Sequence, residues 1–139
     1  LSEIDEGKLI EAARRAREIS VAPFSNFKVG AAVETEDGKI YTGCNIESAS
    51  YGLTVCAERV AIWKALSEGE RRFKALAVVT GTESLTPPCG TCRQIIWEFC
   101  RDTTVILANL NGDSQTVRMS ELLPRAFDAR FLKEATRGK

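Results

Sequence analysis

Two short segments hold the residue types that can do chemistry: Cys56-Ala57-Glu58 and Cys89-Gly90-Thr91-Cys92. Cysteines at CxxC spacing serve either thiol–disulfide exchange or metal binding. A redox motif of the thioredoxin type normally follows the first strand of a βαβ pattern, whereas this pair lies about two-thirds along the chain. A metal pair needs further ligands, and Cys56 is available for that role. Cys44 and Cys100 stand apart and read as small buried apolar residues without chemistry. Five cysteines are an odd number, which makes a disulfide framework a poor reading. There is no histidine. That excludes Ser-His-Asp and Cys-His nucleophilic catalysis, histidine proton shuttles and every histidine-containing metal site. Catalysis must therefore rest on carboxylate, thiolate or water activated by a metal.

Charge and composition narrow the class further. Nineteen basic residues balance nineteen acidic ones, so the chain lacks the basic surplus of a protein that grips long nucleic acid. A hydrophobic fraction of 44% and a charged fraction of 27% are those of an ordinary soluble globule. The longest unbroken apolar run, Ala75 to Val79, is far short of the roughly 20 residues that span a bilayer. No secretory signal is visible after Leu1, and the expected location is cytoplasmic. At 139 residues the chain is read as one domain, 1–139, with a frayed tail at Arg137-Gly138-Lys139.

The elements that must position the cysteines follow from periodicity. Ser2 to Ile19 reads as an amphipathic helix, with Leu9, Ala12, Ala13, Ala16 and Ile19 on one face. Phe27 to Thr35 alternates as a strand, Glu36-Asp37-Gly38-Lys39 turns, and Lys39 to Cys44 returns. A helix is expected from about Thr54 to Ser67 and a buried strand over Phe73 to Thr80. A further helix starts at Pro88 and runs to about Cys100. Strands at Thr103 to Leu110 and Gln115 to Arg118 precede a short helix capped by Ser120. This order makes an α/β domain with helices on both faces of one mixed sheet.

Cys56 and Cys89 each open a helix straight after an irregular loop. Helix starts present unpaired N–H groups and a partial positive charge, which favour thiolate over thiol. If the two starts meet, Cys56, Cys89 and Cys92 gather around one ion. Three soft anionic sulfurs suit Zn²⁺, and three protein ligands leave a fourth position open, as in a catalytic site. Glu58 then stands close to that position without binding the metal.

Cys56-Ala57-Glu58-Arg59 followed by Pro88-Cys89-Gly90-Thr91-Cys92-Arg93-Gln94 resembles the zinc signature of cytidine deaminases in its three-cysteine form. The likeness extends to Pro23-Phe24-Ser25, Phe27-Lys28-Val29-Gly30-Ala31-Ala32, Gly43-Cys44-Asn45-Ile46-Glu47 and Glu121-Leu122-Leu123-Pro124-Arg125-Ala126-Phe127. It covers about Glu11 to Leu132 and points to the small, free-nucleoside branch, which usually forms a homotetramer. The resemblance implies a three-layer α/β/α fold with one mixed five-stranded sheet and one Zn²⁺ per chain on Cys56, Cys89 and Cys92. It implies Glu58 as the catalytic proton carrier. Asn45 and Glu47 would bind the ribose hydroxyls, Phe27 would pack on the nucleoside, and the Ala57 N–H would hold the pyrimidine carbonyl. Tyr51 and Phe127 would help to close the pocket, Phe127 from a neighbouring subunit. Arg59, beside the thiolates, reads as a charge-balancing residue. Phe24 departs from the family, where tyrosine is common, and Gly52-Leu53-Thr54-Val55 is a variable stretch. The implied activity is deamination of cytidine and deoxycytidine in pyrimidine salvage, with no nucleic-acid or membrane partner. The alternatives are a deaminase of N4-substituted or blasticidin-type nucleosides and a zinc-stabilised nucleoside-binding protein without turnover.

Overall fold

Asp5 fixes the start of the first helix: its carboxylate accepts the Lys8 N–H at 3.1 Å, a side-chain cap on an otherwise unpaired donor. In the computed structural model, which describes residues 3–137 and the side chains of 3–135, helix α1 is Glu6–Arg17. It is shorter at both ends than the periodicity predicts. Ile19 does not join its buried face and is 74% exposed, because the chain leaves the helix at Glu18 and turns toward Asn45.

Strand β1 is Val29–Thr35, β2 Ile40–Cys44, β3 Phe73–Thr80, β4 Thr104–Asn109 and β5 Ser114–Arg118. They form one sheet in the order β2-β1-β3-β4-β5, antiparallel throughout except for the parallel β3–β4 pair. Helices α2 (Ala57–Ser67) and α3 (Gly90–Cys100) cover one face and α1 the other. This is the expected three-layer architecture. Alternation divides the strands between two cores. Ala31, Val33, Leu76, Val78, Val105 and Leu107 pack toward α2 and α3, whereas Ala32, Ala75, Ala77, Val79, Ile106 and Ala108 pack toward α1. Among the described residues, no helix is long and apolar enough to cross a membrane.

Several boundaries differ from the sequence reading, each for a local reason. Phe27 lies outside β1, since Asn26 takes a left-handed turn at φ 58° just before it. Helix α2 begins at Ala57 rather than Thr54. A single 3₁₀ turn, Tyr51–Leu53, comes first, and Val55 then pairs its backbone with Ile46. Helix α3 begins at Gly90, so Cys89 and not Pro88 stands at its boundary. Ser120 does not cap helix α4 (Met119–Leu122) but sits inside it, held by the Asp102 carboxylate through its N–H and hydroxyl at 2.8 and 3.2 Å. Helix α5 (Ala129–Arg137) is not foreseen by the sequence reading. Of the expected frayed tail, Arg137 ends α5, while Gly138 and Lys139 lie outside the described residues.

The antiparallel β1–β3 register brings Val29, where β1 starts, beside Thr80, where β3 ends, and Gly30 beside Cys44, where β2 ends. The segments Asn45–Glu47, Val55–Cys56 and Thr86–Cys89 therefore all emerge at one end of the sheet. Gly43 sets the height of α2 above that end: a Cβ there would meet Ala61 N at 2.5 Å and Ala57 O at 2.6 Å. Gly43→Ala must push the α2 backbone away, and overpacking of this kind costs about 1–3 kcal/mol. Urea unfolding should show that loss. Zinc retention against a chelator should fall with it, because the displaced helix start carries Cys56.

Candidate functional site

Cys56 and Cys89 occupy the N-cap positions of α2 and α3 in extended backbone conformation, and neither side chain caps its helix. Their sulfurs are thus left to meet across the gap, 3.8 Å apart, and Cys92 on the first turn of α3 completes the group. All three Sγ atoms lie within 4.8 Å of one another. Two sulfurs each about 2.3 Å from one tetrahedral zinc stand about 3.8 Å apart, so the Cys56–Cys89 spacing fits that ion without rearrangement. The chemistry of the donor set agrees, since thiolates at helix N-termini are soft, anionic ligands.

Arg59 stands over this cluster. Its Nη2 donates to Cys56 Sγ at 3.6 Å and its guanidinium lies 5.8 Å from the centre of the Trp63 ring. Its Nε is buried without a hydrogen-bond partner. Cys92, helped by Arg59 and Cys89, holds the Cys56 thiol below its ordinary value, while the same hydrogen bond pushes the Cys92 thiol up, so the two share a proton that sits on Cys92. Cys100 behaves oppositely: burial pushes its thiol up to about 12, and Cys44 is raised for the same reason. Both match the expectation of inert packing residues.

A cavity of about 220 Å³ adjoins Cys56 and Cys89, lined by Phe27, Val29, Asn45, Val55, Ala57, Glu58 and Val78 among others. Glu58 is 4% exposed in this apolar wall, and burial pushes its carboxyl up to about 7. Ala57 is fully buried at the first position of α2, where the backbone N–H has no partner within the helix. Phe27 lines the same cavity while remaining partly exposed.

Asn45 is buried in the cavity wall and almost fully engaged by its own chain. Its Oδ1 accepts the Val29 N–H at 2.9 Å and the Ser20 hydroxyl, and its Nδ2 donates to the Phe27 carbonyl at 2.7 Å. A free amide could both donate to and accept from a ribose hydroxyl. The geometry narrows it to a donor with one N–H left, because both lone pairs are used. Glu47 accepts the Phe24 and Ser25 N–H groups at 2.9 and 3.1 Å together with the Ser25 hydroxyl, which holds its carboxyl below the ordinary range. It faces an adjoining hollow lined also by Phe24, Ser25 and Tyr51, and Thr54 borders both spaces.

Tyr51 and Phe127 do not reach the cavity of their own chain. Tyr51 is 76% exposed and meets Phe24 edge-on at 6.1 Å. Phe127 is 54% exposed and stacks on Phe131 at 6.0 Å. Its segment is nonetheless tightly held: Gln94 Nε2 donates to the Phe127 carbonyl at 2.8 Å, and Trp97 Nε1 donates to Asp128 Oδ2 at 3.0 Å.

Thr80 and Thr86 line the cavity and escape a motif-based reading. The available signal is position alone, since ligands in α/β sheets gather beyond the carboxyl ends of strands. A larger hollow, about 780 Å³, lies at the opposite end of β3 among Arg71, Arg72, Lys74, Arg101 and Arg118. There Arg71 donates to the Leu66 carbonyl in the last turn of α2 and to the Glu70 carbonyl, at 2.9 and 2.7 Å, while Lys74 pairs with Glu34 and Arg118 with Asp102. The hollow's only cysteine is the inert Cys100.

The model of the cytidine and deoxycytidylate deaminase zinc-binding region matches residues 4–108. The chain is 51% identical over 133 residues to a cytidine deaminase of Sporosarcina psychrophila, covering 95% of this chain and 98% of that protein. It is 52% identical over 132 residues to a cytidine deaminase of Halalkalibacterium halodurans, covering 94% and 100%. The crystal structure of cytidine deaminase from Burkholderia pseudomallei superposes with a TM-score of 0.87 at 50% identity, covering 89% of this chain and all of that one, 100%.

Asp128 gives the C-terminal segment a pH dependence. The Arg130 guanidinium, the Trp97 N–H and the Arg130 backbone N–H hold its carboxyl far below the ordinary value. A carboxyl depressed in the folded state contributes stability above its unfolded pKa of about 3.9, and loses it as pH falls through the folded value. Asp128→Asn should therefore be less stable than the parent near neutrality, and the gap should narrow below about pH 4. Thermal unfolding of both proteins across that range is the check.

Proposed function

The chain belongs to the cytidine and deoxycytidylate deaminase family, a family of hydrolytic deaminases, and from that premise we propose the substrate and the part each residue takes. The reaction is hydrolysis of cytidine and 2′-deoxycytidine to uridine and 2′-deoxyuridine with release of ammonia. The observation that carries it is the burial of Glu58 in an apolar cavity whose edge is the three-cysteine cluster. Cys56, Cys89 and Cys92 hold one Zn²⁺ per chain, which when bound supplies a Lewis acid able to bring the pKa of water down to about 7.

Glu58 takes a proton from the attacking water and gives it to ring nitrogen N3, which makes C4 electrophilic. As the water oxygen bonds to C4, Glu58 takes the second proton from the new hydroxyl and delivers it to the amino group, so that the C4–N bond breaks, ammonia leaves and the uridine carbonyl forms. One carboxylate serves both transfers, and a carboxyl with its pKa near neutrality is suited to take and return a proton. The Ala57 N–H donates to the pyrimidine carbonyl, and Phe27 packs on the nucleoside. Asn45 has one spare N–H and Glu47 has one spare lone pair on Oε2, so one ribose hydroxyl can accept from the first and donate to the second. Arg59 offsets the formal −1 charge of three thiolates and a divalent ion by donating to Cys56.

The active form is a homotetramer with shared sites. The exposed, rigidly held pair Phe127 and Phe131 supports this, because within its own chain Phe127 has no pocket to close. Tyr51 and Phe24 present a second exposed aromatic pair. Free cysteines that must stay reduced to bind metal agree with a cytoplasmic location.

An ammonia-release assay with cytidine and metal analysis on the same sample tests the reading. Glu58→Gln should keep its zinc and lose turnover by at least about 10⁴-fold, the upper end for a general acid–base residue. Turnover within tenfold of the parent would remove Glu58 from the mechanism. Phe127→Ala should raise KM, as stacking on a base is worth about 1–3 kcal/mol. A fully active monomer in light scattering would end the shared-site proposal.

A further inference from the structure

Thr82 Oγ1 has three oxygen neighbours: the Ser84 carbonyl at 2.5 Å, Thr80 Oγ1 at 2.8 Å and Thr86 Oγ1 at 2.8 Å. A hydroxyl has one proton and two lone pairs. The carbonyl has no proton to give, so the proton between Thr82 and Ser84 belongs to Thr82. Both other contacts must then be accepted by Thr82, and Thr80 and Thr86 each commit their only proton to it. Thr82 is thereby saturated. Thr80, 1% exposed at the end of β3, and Thr86, in the loop before Cys89, both line the cavity that holds Glu58. What they can offer a ligand is lone pairs alone.

Their place in the cavity says which group they meet. Thr80 pairs with Val29 across the β1–β3 ladder, and the Val29 N–H is the group held by Asn45 Oδ1. Under the reading of the preceding section, on which this inference rests, Asn45 marks the sugar end. Asn45 and Glu47 together accommodate one sugar hydroxyl as acceptor and donor. A second hydroxyl needs somewhere to send its proton: of the other cavity-lining side chains, Val29, Val55 and Val78 offer nothing polar, and the Thr54 hydroxyl already accepts the Ser48 N–H.

We propose that Thr80 and Thr86, held by Thr82, form an acceptor-only subsite for the ribose 2′-hydroxyl and set a preference for cytidine over nucleosides without a donor at C2′. The preference is moderate. An analogue without the proton leaves lone pairs underused but strands no buried donor, since both hydroxyl protons are already spent on Thr82. A factor of about ten in kcat/KM is the expected scale.

The test compares cytidine, 2′-deoxycytidine and 2′-fluoro-2′-deoxycytidine on the zinc-loaded parent and on Thr80→Val, Thr80→Ser, Thr86→Val and Thr82→Ala. The parent should favour cytidine about tenfold over both analogues, mainly through KM. Thr80→Val and Thr86→Val should lose more efficiency on cytidine than on deoxycytidine, bringing the ratio toward one. Thr80→Ser, which retains the hydroxyl, should keep the parent ratio. Thr82→Ala releases both protons, so the fluoro analogue, which can only accept, should gain on the deoxy one. Cytidine turnover with the same substrate ratios in all five proteins would overturn the subsite and leave the deaminase reading standing. Failure of the zinc-loaded parent to release ammonia from any cytosine nucleoside would overturn both.

Discussion

Three cysteine sulfurs within 4.8 Å of one another can be ionised together only if that charge is neutralised, and the fold is arranged around that need. Two helix N-termini and one guanidinium face the cluster, each bringing partial or full positive charge. That requirement explains the layout better than the cysteines alone do. Helices α2 and α3 must begin at the same end of the sheet, so β3 has to end there and β1 has to start there. The parallel β3–β4 pair and the antiparallel β1–β3 pair satisfy both conditions at once. Gly43 then lets α2 descend until its first turn lies level with Cys89.

The polar groups beside the cluster are economical in a chemical sense. Most of their hydrogen-bonding capacity is used by the chain itself, which leaves single, directional valences for a ligand. Asn45 retains one donor, Glu47 retains one lone pair on Oε2, and Thr80 and Thr86 retain lone pairs only. A polar atom with one open valence reads its ligand more sharply than a free side chain, because it cannot turn to suit the wrong partner. The same engagement keeps the loops still. Asn45 ties Ser20, Phe27 and Val29 together, and the Ile46–Val55 bridge anchors the approach to Cys56.

The C-terminal segment follows a different logic. Its side chains serve a surface: Gln94, Trp97 and Asp128 fix the backbone from within while Phe127 and Phe131 remain in contact with solvent. Two stacked, half-exposed phenyl rings on a rigid support make an apolar feature that the chain's own core does not use.

Five strands, three larger helices and the grouping of Cys56, Cys89 and Cys92 are all legible in the sequence. Strand alternation at Ala31 and Val33, helical spacing at Leu9 and Ala13, and the CxE and CxxC spacings are local patterns, readable without knowing where the chain goes. Sequence also separated the inert cysteines from the clustered ones. Tertiary structure decided the rest. Helix α5 escapes a reading by burial periodicity because its apolar residues Phe131 and Leu132 stay 47% and 60% exposed. The start of α2 moved three residues because Val55 pairs with Ile46. Which valence of Asn45 stays open, and which way the threonine protons point, depend on partners 16 to 25 residues away for the first and on a folded loop for the second. Residue type sets how many hydrogen bonds a side chain can make. Only the packed fold decides which of them are already taken.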